Sequence, residues 1–237
     1  ASLLLRTHSR HTCSGRLSEV ITSSFRKKDE IELQNALASD KGYLRSSLRG
    51  NIVEVLDRNM PNADLLKLRT LQVFEIGTVF GKVKEGKGIV EHMELAVGVR
   101  MKQGGYTPKD DTRLSEVKAI LESALGIALG ATIEKGVLTI DLTNFISTLP
   151  VPSTYTPFRG APDVTYTPFS VYPFVSRDIA LWAEEGTTAN DSDSRIKETA
   201  GSLLLHTTLF DEFHKEGKVS YAFRLVFQSF DRTLTDE

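Results

Sequence analysis

The sequence predicts an α+β protein built in two parts. Three observations lead there. Stretches alternating with period 2 are interleaved with two stretches of clear helical period. A proline-dense break then divides the chain, since six of its eight prolines fall between Pro150 and Pro173. After the break, strand, helix, strand and strand follow in compact succession, the order of a split ferredoxin-like β-α-β-β-α sandwich. With 237 residues, 40% hydrophobic and 25% charged, the chain can bury one large core or two ordinary ones.

Residues 16–25, "RLSEVITSSF", carry a β-branched run and read as a strand. Leu48, Ile52, Val55, Leu56 and Met60 recur at helical spacing before Pro61, which removes an N–H and ends the helix. Residues 71–81 alternate and close on Gly81, giving a strand. The loop "KVKEGKGIVEH" leads to "MELAVGVRM", apolar enough to be central in a sheet. Residues 111–126 are the clearest helix, with Leu114, Val117, Ile120, Leu121 and Leu125 on one stripe and Gly126 as its cap. Residues 136–146 alternate again and predict a strand.

Proline fixes φ and lacks a donor, so residues 150–171 form neither helix nor central strand and read as a linker or surface strap. Tyr-Thr-Pro-Phe occurs twice there, at 155–158 and 166–169. Beyond it, residues 177–183 are a strand and "DSRIKETAGSLL" a short helix with Gly201 near its end. Two strands then flank a Lys-Glu-Gly-Lys turn. In the last strand Val219, Tyr221, Phe223, Leu225 and Phe227 share one face, a parity that helical winding would scatter. Ser220, Ala222, Arg224, Val226 and Gln228 take the other face, and on the first strand so do Asp178, Ala180 and Trp182. The final Thr-Leu-Thr-Asp-Glu has the hydroxyls and acids of a helix N-terminus, predicting a last helix of which only the first turn is present.

Composition excludes several functions. Cys13 is the only cysteine, so no internal disulfide and no zinc cluster can form. No apolar run approaches the roughly 18 residues of a membrane span, and residues 1–15 make a poor signal peptide; a cytoplasmic setting is expected. His8, His11, His92, His206 and His214 show no metal spacing. "GKVKEGKG" lacks the Gly-Lys-Ser/Thr end of a phosphate loop. Residues 1–170 carry 22 Lys+Arg against 19 Asp+Glu, whereas residues 171–237 carry 7 against 12. An acidic C-terminal third does not grip a polyanion by charge alone.

"YPFVSRDIALW" (172–182), "LFDEF" (209–213) and "GKVSYAFRLVFQSFDRTLTDE" (217–237) closely resemble the C-terminal ferredoxin-like domain of phenylalanyl-tRNA synthetase β subunits. "SEVITSSF" (18–25), "YLRSSLRGNIVEVLDRN" (43–59) and "FEIGTVF" (74–80) resemble the catalytic-like module of the same family. Four departures stand out. The family's large N-terminal regions are not visible, Asn35-Ala36 replaces an asparagine-proline, and "SLRGNI" replaces a serine-leucine-leucine-proline-glycine-like stretch. The region after Gly126 is also shorter than in the family. The sequence therefore reads as a C-terminal fragment.

The resemblance implies a class II synthetase-like antiparallel sheet module over residues 1–149, a Pro-rich linker over 150–171, and a ferredoxin-like anticodon-binding domain over 172–237. It implies a non-catalytic subunit part packed on a catalytic α subunit in an α2β2 heterotetramer. The whole enzyme would use ATP, Mg²⁺, phenylalanine and tRNA(Phe), while this chain would hold no cofactor or metal and no catalytic residue, and would engage neither membrane nor DNA. Arg45 and Arg49 stand where such enzymes carry an ATP-contacting arginine, and Glu75 lies on the following strand; the plainer expectation is that Arg45 anchors a loop and that Glu75 pairs with it or caps a helix. The resemblance places the second domain against the anticodon region, with Arg177, Trp182, Lys218, Arg224 and Arg232 as RNA-binding candidates. Asp178–Arg224 is alternatively a structural ion pair and Trp182 a half-buried anchor. An autonomous RNA-binding module and a synthetase-like scaffold or enzyme are the rival readings.

Overall fold

The computed structural model describes residues 17–83, 88–101, 104–147, 149, 151, 154, 166 and 168–235. Its chain divides into two compact units, Ala1–Ala63 with Leu68–Thr154, and Asp64–Lys67 with Tyr155–Glu237. The architecture is α+β. No helix among the described residues is long and apolar enough to cross a membrane.

The first unit is organised by one long hairpin. Strands β5 (Thr70–Lys82) and β6 (Ile89–Met101) pair antiparallel over their whole lengths. Their neighbours complete a five-stranded sheet in the order β1-β5-β6-β8-β7, with β1 (Ser18–Glu19), β7 (Ala131–Glu134) and β8 (Val137–Asp141). Only the β1 pairing is parallel. Three two-residue strands, β2 (Phe25–Arg26), β3 (Ile31–Glu32) and β4 (Tyr43–Leu44), form a separate ladder.

Both faces of the large sheet are apolar because β5 and β6 are apolar at both parities. Phe74, Leu95, Val97, Val99, Leu138 and Ile140 pack against Leu114, Val117 and Leu121 of helix α2 (Pro108–Leu125). Val73, Val79, Ala96 and Val137 pack against Leu48 and against Ile52 and Leu56 of helix α1 (Arg49–Asn59). Each such Val, Leu, Ile or Phe side chain stabilises the fold by about 1.5–3 kcal/mol relative to exposure. Gly98 makes the second contact fit: a Cβ there would collide with the side chains of Ile52 and Leu56.

The helix ends follow their chemistry. Glu94, reaching from β6, accepts from Leu48 N at 2.8 Å and Ser47 Oγ at 2.9 Å, covering the start of α1. Asp110, fully buried, accepts from Thr107 N at 2.8 Å and Met101 N at 2.9 Å at the start of α2. Gly126 ends α2 in the left-handed region at φ 69°. Pro61 lies in a one-turn 3₁₀ helix, Met60–Asn62, that continues from α1.

Several expectations are corrected. Of residues 16–25, the described ones, 17–25, are a strand only at β1 and β2; between them Thr22 turns inward to Glu75, and its side chain wins over β propensity. Residues 89–92, read as loop, belong to β6. The strand over 136–146 stops at Asp141, and helix α3 (Leu142–Ser147) begins there. Asp141 accepts from Asn144 N at 3.2 Å and Asn144 Nδ2 at 2.7 Å, so an N-cap interrupts the alternation. Strand β7 was not foreseen. Most of the proline-rich stretch, including the first Tyr-Thr-Pro-Phe, lies outside the described residues, as do His8, His11, Cys13, Asp236 and Glu237.

In the second unit, β9 (Val175–Glu184), helix α4 (Ala189–Thr199), β10 (Leu204–Lys215) and β11 (Lys218–Phe227) follow in sequence. The sheet order is β10-β11-β9, antiparallel throughout. Glu216 and Gly217, at φ 51° and 70°, form the two-residue hairpin turn in the form that matches strand twist. The inner face matches the alternation: Val219, Tyr221, Phe223 and Leu225 are buried with Ile196 of α4. Helix α4 starts four residues earlier than its apolar pattern indicates, because Thr188 and Asp191 form a reciprocal capping box. Residues 233–235 are not helical.

Candidate nucleic-acid interface

The outer face of the second sheet is built rung by rung from the strand register. Ser220 of central β11 lies between Trp182 of β9 and Phe213 of β10. A small residue in the middle lets the two flanking rings meet above it, edge to face, with centroids 6.3 Å apart. Both rings remain more than half exposed. The next rung is Asp211, Ala222 and Ala180, a shallow floor without bulk. The rung after it is Thr208, Arg224 and Asp178.

Arg224 is held by a two-pronged contact to Asp178, Nε to Oδ1 at 2.7 Å and Nη2 to Oδ2 at 2.6 Å. Its Nη1 also reaches Asp64 at 3.2 Å. The Asp178 hydrogen bonds hold the guanidinium above its ordinary pKa, so it is cationic at every relevant pH. The Phe210 ring lies over it, 5.6 Å from Cζ to centroid. Beyond this rung the sheet face is closed: Val226 is buried, and His206 Nε2 lies 3.2 Å from the Leu65 carbonyl oxygen.

Neither phenylalanine was legible as part of this face. Strict alternation puts Leu209 and Phe213 on one side and Phe210 on the other. The structure inserts one extra residue in β10 between the pairs Leu209–Phe223 and Asp211–Ala222. That bulge shifts the parity of everything after it. Leu209 stays inward, and Phe213 comes out to meet Trp182. The only sequence signal is two phenylalanines three residues apart on one strand, which alternation alone would place on opposite faces.

Of the five residues marked in the sequence, Trp182, Arg224 and Lys218 share the outer face. Lys218 sits at the Trp182 end, 3.5 Å from Glu184. Arg177 has the opposite parity, paired across from inward-facing Leu225, and its Nη1 donates to Ser176 O at 3.1 Å. Arg232 lies past the far end of β11, its backbone N–H on Ser229 Oγ at 3.3 Å. These two are not brought to the aromatic cluster.

The first unit resolves the other candidates. Arg45 and Glu75 are buried and meet at 2.9 Å. Arg45 Nε donates to Thr78 O at 2.9 Å and Nη1 to Thr22 Oγ1 at 3.0 Å. Glu75 accepts from Thr22 Oγ1 at 2.6 Å and Thr22 N at 3.2 Å. Gly77 leaves the room the guanidinium occupies, since a Cβ there would collide with Arg45 Nη2. The Phe-Glu-Ile-Gly stretch thus supplies a core ring, an anion for Arg45 and the space beneath it. Arg49 pins the β7–β8 hairpin through Glu134 O at 2.8 Å and Thr139 Oγ1 at 3.2 Å. The loop-anchoring arrangement expected for Arg45 and Glu75 is what the structure contains. No group of three or more metal-ligating side chains occurs among the described residues.

An antiparallel sheet in strand–helix–strand–strand order, with exposed aromatics and a fixed arginine on its open face, places the second unit among the ferredoxin-like α+β domains. Comparison with known families agrees, since residues 170–237 match the ferredoxin-fold anticodon binding domain. Residues 4–135, more than half of the chain, match the phenylalanyl tRNA synthetase beta chain CLM domain. The chain belongs to the phenylalanyl-tRNA synthetase beta chain family. A phenylalanine–tRNA ligase beta subunit from Synechocystis is 27% identical over 96% of this chain and 33% of its own length. One from Bacillus licheniformis is 29% identical over 85% of this chain and 29% of its own. A chloroplastic/mitochondrial phenylalanine–tRNA ligase from Arabidopsis thaliana is 36% identical over 33% of this chain and 19% of its own. The chain spans a third or less of these curated relatives.

Proposed function

We propose that this chain acts as a non-catalytic part of a phenylalanine–tRNA ligase beta subunit. Its second unit contacts the anticodon region of tRNA(Phe), and its first unit, a class II synthetase-like module, packs on the catalytic alpha subunit of an α2β2 assembly. ATP and Mg²⁺ belong to the partner's active site, and the setting is cytoplasmic. Residues 1–149, 150–171 and 172–237 are the corresponding domains. The observation that carries the reading is the outer sheet face: Trp182 with Phe213 on one side of the Ala180–Ala222 floor, Arg224 under Phe210 on the other. An unpaired base can stack on the rings while the trough keeps backbone and ribose close. Base stacking on such rings contributes about 1–3 kcal/mol per base. The acidic second unit fits a contact led by shape and stacking more than by charge.

The first unit's residues fit an inert role. Arg45 and Glu75 satisfy each other inside the fold, so neither presents its charge to a nucleotide. The test is binding of the tRNA(Phe) anticodon stem-loop, with Trp182→Ala and Phe213→Ala each expected to weaken it about tenfold or more. Undiminished binding by both variants overturns the assignment of the face. Co-purification of the full-length gene product with a catalytic synthetase subunit tests the assembly. ATP–pyrophosphate exchange by this chain alone is expected to be absent, and organelle import of the full-length product would contradict the cytoplasmic setting.

A further inference from the structure

The first unit presents an apolar side chain that its own fold does not use. Ile21 stands between β1 and β2 and is 93% exposed. The backbone that carries it is fixed on both sides. Val20 packs against the core, and its N–H donates to Phe74 O at 2.8 Å. Thr22 donates to Glu75 with its N–H at 3.2 Å and with its hydroxyl at 2.6 Å. Both neighbours are anchored in the unit, and Ile21 between them is held out in water. An aliphatic side chain kept in water forgoes the gain of burial. One already held in place costs a partner little ordering, so it can serve as a ready anchor.

The surroundings of Ile21 state the chemistry of that partner. It lines a cleft of about 930 Å³ together with Phe25, another exposed apolar side chain, which β2 holds in its ladder with β4. Leu37, in the loop that supplies Asp40 and Lys41 to the cleft, is 99% exposed. Arg26, Lys27, Lys28, Lys41 and Arg58 line the same cleft against only Asp40 and Glu54, and Glu54 is taken by Arg26 at 2.8 Å. Among the described residues, the side chains of Lys27, Lys28, Lys41 and Arg58 make no hydrogen bond or ion pair. The chain as a whole is formally −2, so this positive charge is local. Apolar side chains rimmed by charge mark a contact with another protein. A polyanion or a compact anion would pair with the lysines but leave Ile21 in water. A polypeptide surface can bury the aliphatic and aromatic side chains and set carboxylates against the cations.

We propose that this face is the seat of the catalytic alpha subunit: Ile21 and Phe25 enter an apolar depression on that subunit, and acidic side chains around the depression meet Lys27, Lys28, Lys41 and Arg58. The assignment rests on the reading that the first unit packs on the alpha subunit, and adds to it the face used and the chemistry of the surface that meets it.

The test measures binding of the full chain to the purified alpha subunit of the phenylalanine–tRNA ligase from the same source, with that subunit held on a sensor surface. Ile21→Asp is expected to weaken binding about thirtyfold or more, as for a buried anchor. Changing Lys27, Lys28, Lys41 and Arg58 together to glutamine should weaken it about tenfold, mainly by slowing association, and remove most of its dependence on salt between about 50 and 500 mM. All five side chains are exposed, so the core is untouched, and far-UV circular dichroism checks the fold of each variant. If the unaltered chain binds the subunit and both variants bind equally well, the face is wrong while the packing on the alpha subunit stands. If the unaltered chain does not bind at all, the packing falls and the face falls with it. Ile120→Asp puts the same charge on an exposed aliphatic of helix α2 and should leave binding unchanged; an equal loss there overturns the role of Ile21. Should Ile21→Asp turn a self-associated chain into a monomer in sedimentation while sparing the alpha subunit, the occupant is a second copy and the proposal fails.

Discussion

Two arginine–carboxylate pairs, one in each unit, use the same chemistry under opposite conditions. Arg45–Glu75 is sealed, with side chains 4% and 3% exposed. Arg224–Asp178 lies open on a sheet, with 29% and 44% exposed. The sealed pair carries further hydrogen bonds from Thr22 and to Thr78, as burial of charge demands. The open pair is bidentate and leaves one guanidinium edge to Asp64 and one face to Phe210. Burial therefore separates a charge that holds a fold from a charge that remains accessible to a ligand. The type of the residue does not.

That contrast can be broken most severely from the inside. Arg45→Met strands Glu75 in the core and should cost about 3–5 kcal/mol by urea denaturation; a cost below about 1 kcal/mol would mean that water reaches the site. Gly77→Ala attacks the same pair through space alone. Its new methyl displaces a guanidinium held by Thr22, Thr78 and Glu75, and about 1–3 kcal/mol should disappear from the same unfolding curve. On the open side the stability effect shrinks. Arg224→Gln should cost at most about 0.5–1 kcal/mol, although it should weaken any ligand lying over the Ala180–Ala222 floor. Trp182 is the chain's only tryptophan, so its fluorescence follows the second unit by itself.

The smallest effect expected is one of pH. Asp191 is held below the usual carboxylate value by Thr188 side-chain and backbone hydrogen bonds. For Asp193, burial acts upward, but hydrogen bonds from Lys197 and Thr207 outweigh it and leave the group lowered. A folded-state pKa below the unfolded one stabilises above the unfolded value and is lost as pH falls through the folded one. Helix α4 should thus loosen only below about pH 3.8, the ordinary aspartate value. A change in Trp182 fluorescence already at about pH 5–6 would point to a different titrating group, histidine being the side chain that ordinarily titrates there.

Much of the fold could be read where one force dominated. The inner face of β11 and the buried stripe of α2 follow period 2 and period 3.6 because core packing alone decides them. The reading failed where a polar side chain redirected the backbone. Asp141 starts a helix inside an alternating run, and Thr22 leaves its strand for Glu75. On the candidate interface, Trp182 and the Asp178–Arg224 pair were legible from parity. Phe210 and Phe213 were not, because a bulge leaves no mark in composition or period.

That bulge lets Leu209 face inward and Phe213 outward although four positions separate them. Replacing Phe210 by any other residue keeps the count, and Phe213 stays against Trp182. Deleting Phe210 would remove the bulge and leave plain alternation, with Leu209 still opposite Phe223 and Phe213 still outward opposite Ser220. The Trp182–Phe213 rung therefore survives without the extra residue, whose own contribution is the ring over Arg224.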